Sequence, residues 1–314
     1  MKKIKIAVLD DYQQIALEMV DWTVLNDIAE ITVFNDHLHD KQALVERLKP
    51  FTIISAMRER TPFSKELLSC LPNLKLIVST GARNASIDSA AMNELSIELA
   101  HTGYLGNGAP ELTWALLMAI AKKIPQENES LKNGGWQTGV GIDLQGKTIG
   151  IIGLGKIGEK ISEIAGAFNM NVIAWSQNLM KDAAAAKGAR LVSKEVLLRN
   201  ADFVTIHLVL SDRSRGIIGA DELALMKKSA YLINTSRGPL IDEQALIHVL
   251  EKQQIAGAAL DVFDSEPLNE NHPFRSLSNV LATPHIGYVT ENTYKLFFED
   301  TVKIIKSWIE QQDK

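Results

Sequence analysis

The sequence predicts an α/β protein built from two doubly wound parallel sheets, one domain inserted into the other. Three observations carry this. The chain has 314 residues, more than one hydrophobic core ordinarily serves. Short apolar, β-branched runs alternate with amphipathic segments, the pattern of strands buried on both faces of a parallel sheet. The second series of these runs opens with a glycine pattern set between a strand and a helix.

Taken in order, the first series is IKIAVL (4–9), EITVF (30–34), FTIISA (51–56), LKLIVST (74–80) and IELAH (97–101), with helices such as KQALVERL (41–48) and PFSKELLSCL (62–71) between them. A long helix is predicted over 109–131, with Pro110 near its start and Pro125 kinking or ending it. Its residues Trp114, Leu117 and Met118 are candidates for a dimer surface. The glycine-rich KNGGW (132–136) follows. The second series supplies six strands: KTIGIIG (147–153), NVIAW (171–175), DFVTIHL (202–208), AYLINTS (230–236), IAGAALDV (255–262) and NVLAT (279–283). A last helix over 291–311 presents Phe298, Val302, Ile305 and Ile309 on one face. The domain boundaries expected are 1–103 plus 290–314 for one domain and 104–289 for the other. A ligand site between two such domains is the natural expectation.

Composition narrows the functional classes. With 46% hydrophobic and 23% charged residues the chain reads as an ordinary globular protein. Its net charge of −5 argues against nucleic acid and anionic membrane as partners. Cys70 is the single cysteine, so neither an intrachain disulfide nor a cysteine zinc cluster is expected, no metal site is predicted, and Cys70 is expected to be buried. WALLMAIA (114–121) is too short to span a bilayer. The opening residues lack the apolar length of a signal peptide, so a cytoplasmic location is expected.

The stretch KTIGIIGLGKIGEKISEIAGAF contains Gly153, Gly155 and Gly158 directly after a strand and at the start of a helix. Gly153 permits the tight turn, Gly155 lets backbone approach a pyrophosphate, and Gly158 allows helix to pack closely on strand. The helix N-terminus, with the amides around Lys156 and Ile157, faces the phosphates. The second domain is thus a Rossmann domain, and the first is flavodoxin-like. Ser176 stands near the end of the second strand, where an acid would select NAD, followed by Gln177 and Asn178. No carboxylate is there to repel a 2′-phosphate and no arginine to hold one; Lys181 is the nearest cation. The cofactor is NAD(H) or NADP(H).

Arg237, Glu266 and His285 each follow an apolar strand of this domain, and in a parallel sheet those ends share one edge. A histidine titrates near neutrality and can exchange a proton with an alkoxide. A neighbouring carboxylate orients it and favours its charged form. An arginine offers a planar fork to a carboxylate or carbonyl oxygen.

The motifs GLGKIG, INTSRGPLID, ALDVFDSEPL and TPHIGY, in that order, resemble the D-isomer-specific 2-hydroxyacid dehydrogenase family over nearly the whole chain. The resemblance implies reversible reduction of a small 2-oxo acid to a D-2-hydroxy acid. It implies that Arg237 binds substrate, His285 is the acid/base and Glu266 its partner. Asp261 matches the position that contacts the nicotinamide carboxamide, and Thr235 and His207 match cofactor-contacting positions. LIVSTGARNASID (76–88) resembles the substrate loop, with amides around Gly81, Ala82 and Arg83 expected to hold the carboxylate. Domain closure would exclude water. Phosphoglycerate, hydroxypyruvate and glyoxylate are the family's common substrates, and Arg58, Arg60 and Arg83 could meet a phosphate. A regulatory domain of the kind that a long C-terminal extension forms in some phosphoglycerate dehydrogenases is not expected. Family members are usually dimers through the nucleotide domain. Formate dehydrogenases share the fold but usually carry glutamine where Glu266 stands. A corepressor-like protein that senses NAD(H) without turnover is the alternative of a different class. The chain departs from the family's habit at Val209, where a proline usually follows the histidine segment.

Overall fold

The structure is a computed structural model that describes residues 3–312. The first two and last two residues of the chain, assigned above to the first domain, lie outside the described residues. The chain divides into two compact units: one runs up to Leu105 and resumes at Val289, and the other is Gly106–Tyr288.

The first unit holds five parallel strands, β1 (Ile4–Val8), β2 (Ala29–Val33), β3 (Ile53–Ala56), β4 (Leu76–Ser79) and β5 (Glu98–His101), in the order β2-β1-β3-β4-β5. This is the flavodoxin order. Successive residues of β1 face opposite sides, yet Ile6, Ala7 and Val8 are all buried, because helices cover both faces. The long helix Glu291–Gln312 belongs to this unit and buries Phe298, Val302, Ile305 and Ile309. Cys70 is exposed, against expectation. The helix Lys65–Leu68 ends before it, and Leu67, Leu68 and Leu71 take the core positions.

The second unit holds β6 (Thr148–Ile152), β7 (Asn171–Trp175), β8 (Arg190–Leu191), β9 (Phe203–Ile206), β10 (Tyr231–Asn234), β11 (Gly257–Leu260) and β12 (Val280–Ala282). Their order is β12-β11-β10-β9-β6-β7-β8 and all pair in parallel. The chain reverses direction across the sheet between β6 and β9, the switch point at which such folds bind ligands. Leu232 joins the core on one face and Ile233 that on the other. The edge strand β8 was not predicted: two residues carry no periodicity.

The predicted helix 109–131 is two helices. Gly108–Ala121 ends at Lys122, Lys123 turns through a left-handed conformation, and Ile124–Lys132 begins with Pro125 in its first turn. Pro125 lacks the N–H that a continuing helix would need, while a first turn does not need it. Leu117 is wholly buried, so it cannot contribute to a dimer surface, and Trp114 packs on Phe168. Among the described residues, no helix is long and apolar enough to cross a membrane, and no group of His, Cys, Asp and Glu is arranged to hold a metal.

Candidate active site

In the second unit the ends of β10, β11 and β12 carry the three residues singled out above. His285 follows β12 in a left-handed conformation, φ 51°, which few non-glycine residues adopt. Asp261 explains how that loop is held. It is wholly buried just after β11. Its Oδ1 accepts from Thr283 Oγ1 at 2.6 Å and from the Ile286 amide at 2.8 Å; its Oδ2 accepts from the Gly287 amide at 2.9 Å. Burial pushes the Asp261 carboxyl up, opposed by those three hydrogen bonds and by His285. The residue read as a cofactor contact is thus first a clamp on the histidine loop.

His285 Nδ1 lies 2.6 Å from Glu266 Oε2, and its ring sits edge-on to Tyr288. Glu266 Oε1 accepts from the Phe263 amide at 2.9 Å. A carboxylate can only accept, so Nδ1 carries the hydrogen of this pair and Nε2 is left to exchange a proton. Arg237 rides on a turn built by Asn234, whose Nδ2 donates to the Arg237 carbonyl at 2.8 Å and whose Oδ1 accepts from the Ser236 amide at 3.0 Å. The Arg237 guanidinium donates to the Ser236 carbonyl at 2.7 Å. Ser236 Oγ donates to Ile206 O, tying the turn to β9. Directly after the arginine, Gly238 presses on the Phe263–Asp264 backbone so closely that any Cβ would collide with it. The arginine turn and the segment leading to Glu266 are therefore locked together by backbone contact.

The dinucleotide cradle can be tested on its glycines. Gly153 has φ 99°, and a Cβ there would meet the His207 carbonyl oxygen at 2.6 Å. A Cβ on Gly158 would run into the Gly153 carbonyl, whereas one on Gly155 would meet nothing within 4 Å. Two glycines are thus needed by the fold, and the third borders open space. Gly155 caps the helix Lys156–Ala167 without a side-chain bond, so the first-turn amides of Lys156, Ile157 and Gly158 remain to receive an anion. Gly153 N–H donates to Trp175 O, which sets Ser176, half-buried, beside the cradle. Asp182 lies in the helix Lys181–Ala186, beyond the strand end. His207 Nε2 is 2.9 Å from Thr205 Oγ1, while its Nδ1 is buried with no partner among the described residues. Burial lowers this ring to about 3, so it is neutral at physiological pH. Thr235 is buried 2.6 Å from Thr113 Oγ1. These residues fit a dinucleotide: they leave helix amides and one buried ring nitrogen for it.

In the first unit, Gly81 lies after β4 with φ 84°, and a Cβ there would collide with the Arg58 guanidinium. Its amide is not available to substrate, contrary to expectation: it donates to Thr102 Oγ1 at 2.8 Å. Ala82 and Arg83 are exposed, and among the described residues no backbone carbonyl accepts from their amides. Arg58 donates to Thr80 O and lies over the Tyr104 ring; Arg60 donates to the Asp10 carbonyl and Tyr294 Oη and stacks on Tyr12. Sequence reasoning missed Thr102, Asn234, Gly238 and Thr283. Only Gly238 left a signal, a glycine next to a strand-end arginine.

Residues 114–287 match the model of the D-isomer specific 2-hydroxyacid dehydrogenase NAD binding domain. The chain belongs to the D-isomer-specific 2-hydroxyacid dehydrogenase family. It is 37% identical over 93% of its length to a D-3-phosphoglycerate dehydrogenase of Methanocaldococcus jannaschii, but spans only 55% of that protein. It is 40% identical over 73% of its length to a glyoxylate reductase of Aeropyrum pernix, covering 71% of it. A crystal structure of a phosphoglycerate oxidoreductase from Vibrio cholerae superposes with a TM-score of 0.91 at 37% identity, over 97% of this chain and 99% of that one. Membership makes the chain a nicotinamide-dependent 2-hydroxyacid oxidoreductase.

Two outcomes follow from the cradle. Gly158→Ala forces the helix away from the Gly153 turn and should weaken NADH binding about tenfold or more, about 1.4 kcal/mol; an unchanged Kd by fluorescence titration rejects the cradle. His207 takes up a proton near its ordinary value only when unfolded, so stability should fall as pH drops below about 6.5. His207→Gln should flatten the fall in urea midpoint between about pH 7.5 and about pH 5; parallel curves would refute the burial argument.

Proposed function

We propose that this chain reduces a small 2-oxo acid reversibly to its D-2-hydroxy acid, with Arg237, Glu266 and His285 as the catalytic residues. What supports this reading is the 2.6 Å pairing of His285 Nδ1 with Glu266, in the same unit as the dinucleotide cradle. Lys156, Ile157 and Gly158 would hold the pyrophosphate by their amides, with Ser176, His207, Thr235 and Asp261 around the rest of the cofactor. NAD(H) and NADP(H) are both compatible with Ser176. The cofactor supplies or takes up a hydride at the substrate carbon bearing the oxygen. In the reductive direction His285 Nε2 delivers its proton to the developing alkoxide, and in the oxidative direction it removes the hydroxyl proton. Glu266 stabilises the imidazolium between these events. Arg237 binds the substrate's carboxylate or carbonyl oxygen, and the amides of Ala82 and Arg83 are assigned to the carboxylate.

Phosphoglycerate and glyoxylate are the substrates to consider first, given the names of the relatives above, with hydroxypyruvate beside them as a common substrate of the family. No observation favours the binding-only corepressor alternative. The cytoplasm is the proposed location. The test is nicotinamide absorbance with NADH and NADPH against glyoxylate, hydroxypyruvate and pyruvate, and with 3-phosphoglycerate in the oxidative direction. His285→Ala should lose about 10² to 10⁴-fold in kcat. Wild-type turnover in that variant would defeat the assignment.

We further propose a homodimer through the second unit. The helix Ile124–Lys132 buries no residue, and Ile124, Leu131, Trp136 and Val140 expose an apolar stretch along it and the following loop. Light scattering should give twice 34.6 kDa, falling to the monomer mass in the double variant Trp136→Ser, Val140→Ser. A wild-type monomer would dispose of the proposal.

A further inference from the structure

A second glutamate–histidine pair lies behind the first. Glu243 opens the helix Glu243–Glu251, and its Oε1 is 3.2 Å from His272 Nε2. The two side chains are only 18% and 15% exposed. His272 Nδ1 accepts from the Phe274 amide at 3.3 Å. That nitrogen therefore carries no hydrogen, and Nε2–H is the donor to Glu243. The pair joins an imidazole N–H to a carboxylate that sits in the first turn of a helix.

Both members reach toward Glu266. Glu243 Oε2 faces the Asp264 amide at 3.5 Å. The His272 ring packs on Phe274 at 4.8 Å, and Phe274 on Phe263 at 6.2 Å. Phe263 and Phe274 are buried. The Phe263 amide is the one that donates to Glu266. From the other side Gly238 presses on the same Phe263–Asp264 backbone. The segment is thus gripped on both flanks, and its one free-standing product is the orientation of the Glu266 carboxylate.

We propose that Glu243 and His272 are positioning residues for Glu266, and through it for His285. This rests on the catalytic reading given above for the Glu266–His285 pair. A polar pair left in a mostly buried place must be compensated by hydrogen bonds, and here one comes from the Asp264 amide, in the segment that aims Glu266, and one from the amide of Phe274, whose ring packs on Phe263. Glu243, Asp242, Arg215 and His272 are the charged and titratable groups acting on Asp264, while Asp261 and Glu266 are those around His285.

The test is a double-mutant cycle on the full chain: Glu243→Ala, Glu266→Gln and the two combined, with kcat/KM followed against pH and NADH affinity as a control. Glu243→Ala should lower kcat about tenfold to a hundredfold with KM and NADH affinity unchanged. It should also move the alkaline limb of the reductive profile to lower pH, because a loosened carboxylate stabilises the imidazolium less. In the Glu266→Gln background the same substitution should have almost no effect. Glu243→Gln should restore most of the rate, since its amide oxygen can still accept from His272. An equal loss in both backgrounds, or an unmoved pH limb, overturns the positioning role. Should Glu243→Ala fail to fold, His272→Phe keeps the ring packing, removes the donor and is read by the same cycle. If Glu266→Gln alone leaves rate and pH profile unchanged, the catalytic reading itself has failed, an outcome distinct from additivity.

Discussion

Asp261 is buried just after β11, and the loop that carries His285 is built around its carboxylate. Two backbone amides and one hydroxyl converge on it. A buried carboxylate without partners would be costly, so the three donors and the acceptor require one another. With them in place, His285 stays in a left-handed conformation that a free chain would rarely visit. Glu266 then needs only to meet a ring whose position is already set.

The same economy of backbone contact shapes the rest of the unit. Gly158 brings the nucleotide helix against the Gly153 turn, and Gly238 brings the arginine turn against the Phe263–Asp264 segment. In both cases the absence of one methyl group decides whether two backbones can touch. Asn234 and Ser236 fasten the arginine turn to its strand and to β9. The functional groups are thus carried by loops, while their placement is enforced by strands, glycines and buried polar side chains.

Eleven of the twelve strands among the described residues were legible as apolar runs, because parallel strands covered on both sides need continuous hydrophobicity. The two-residue β8 carried too little pattern to see. Pro125 announced a break, but whether it would kink one helix or start another depended on Lys123 adopting a left-handed turn. Arg237, Glu266 and His285 were legible by type and by their place after strands. Their supporting residues were not. Thr102 and Thr283 act through contacts across 21 and 22 positions of sequence, and local spacing cannot reveal a partner so distant.

Sequence alone determined the fold class, the division into two α/β units, the dinucleotide-binding character of the second and the family, because burial periodicity and glycine spacing are written residue by residue along the chain. Tertiary structure alone decided the uses of individual polar groups. It turned Asp261 into a clamp, withdrew the Gly81 amide from substrate, exposed Cys70 and set Glu243 and His272 behind Glu266. The physical reason is that a hydrogen bond needs its donor and acceptor within about 3 Å, and only the folded chain brings residues distant in sequence that close.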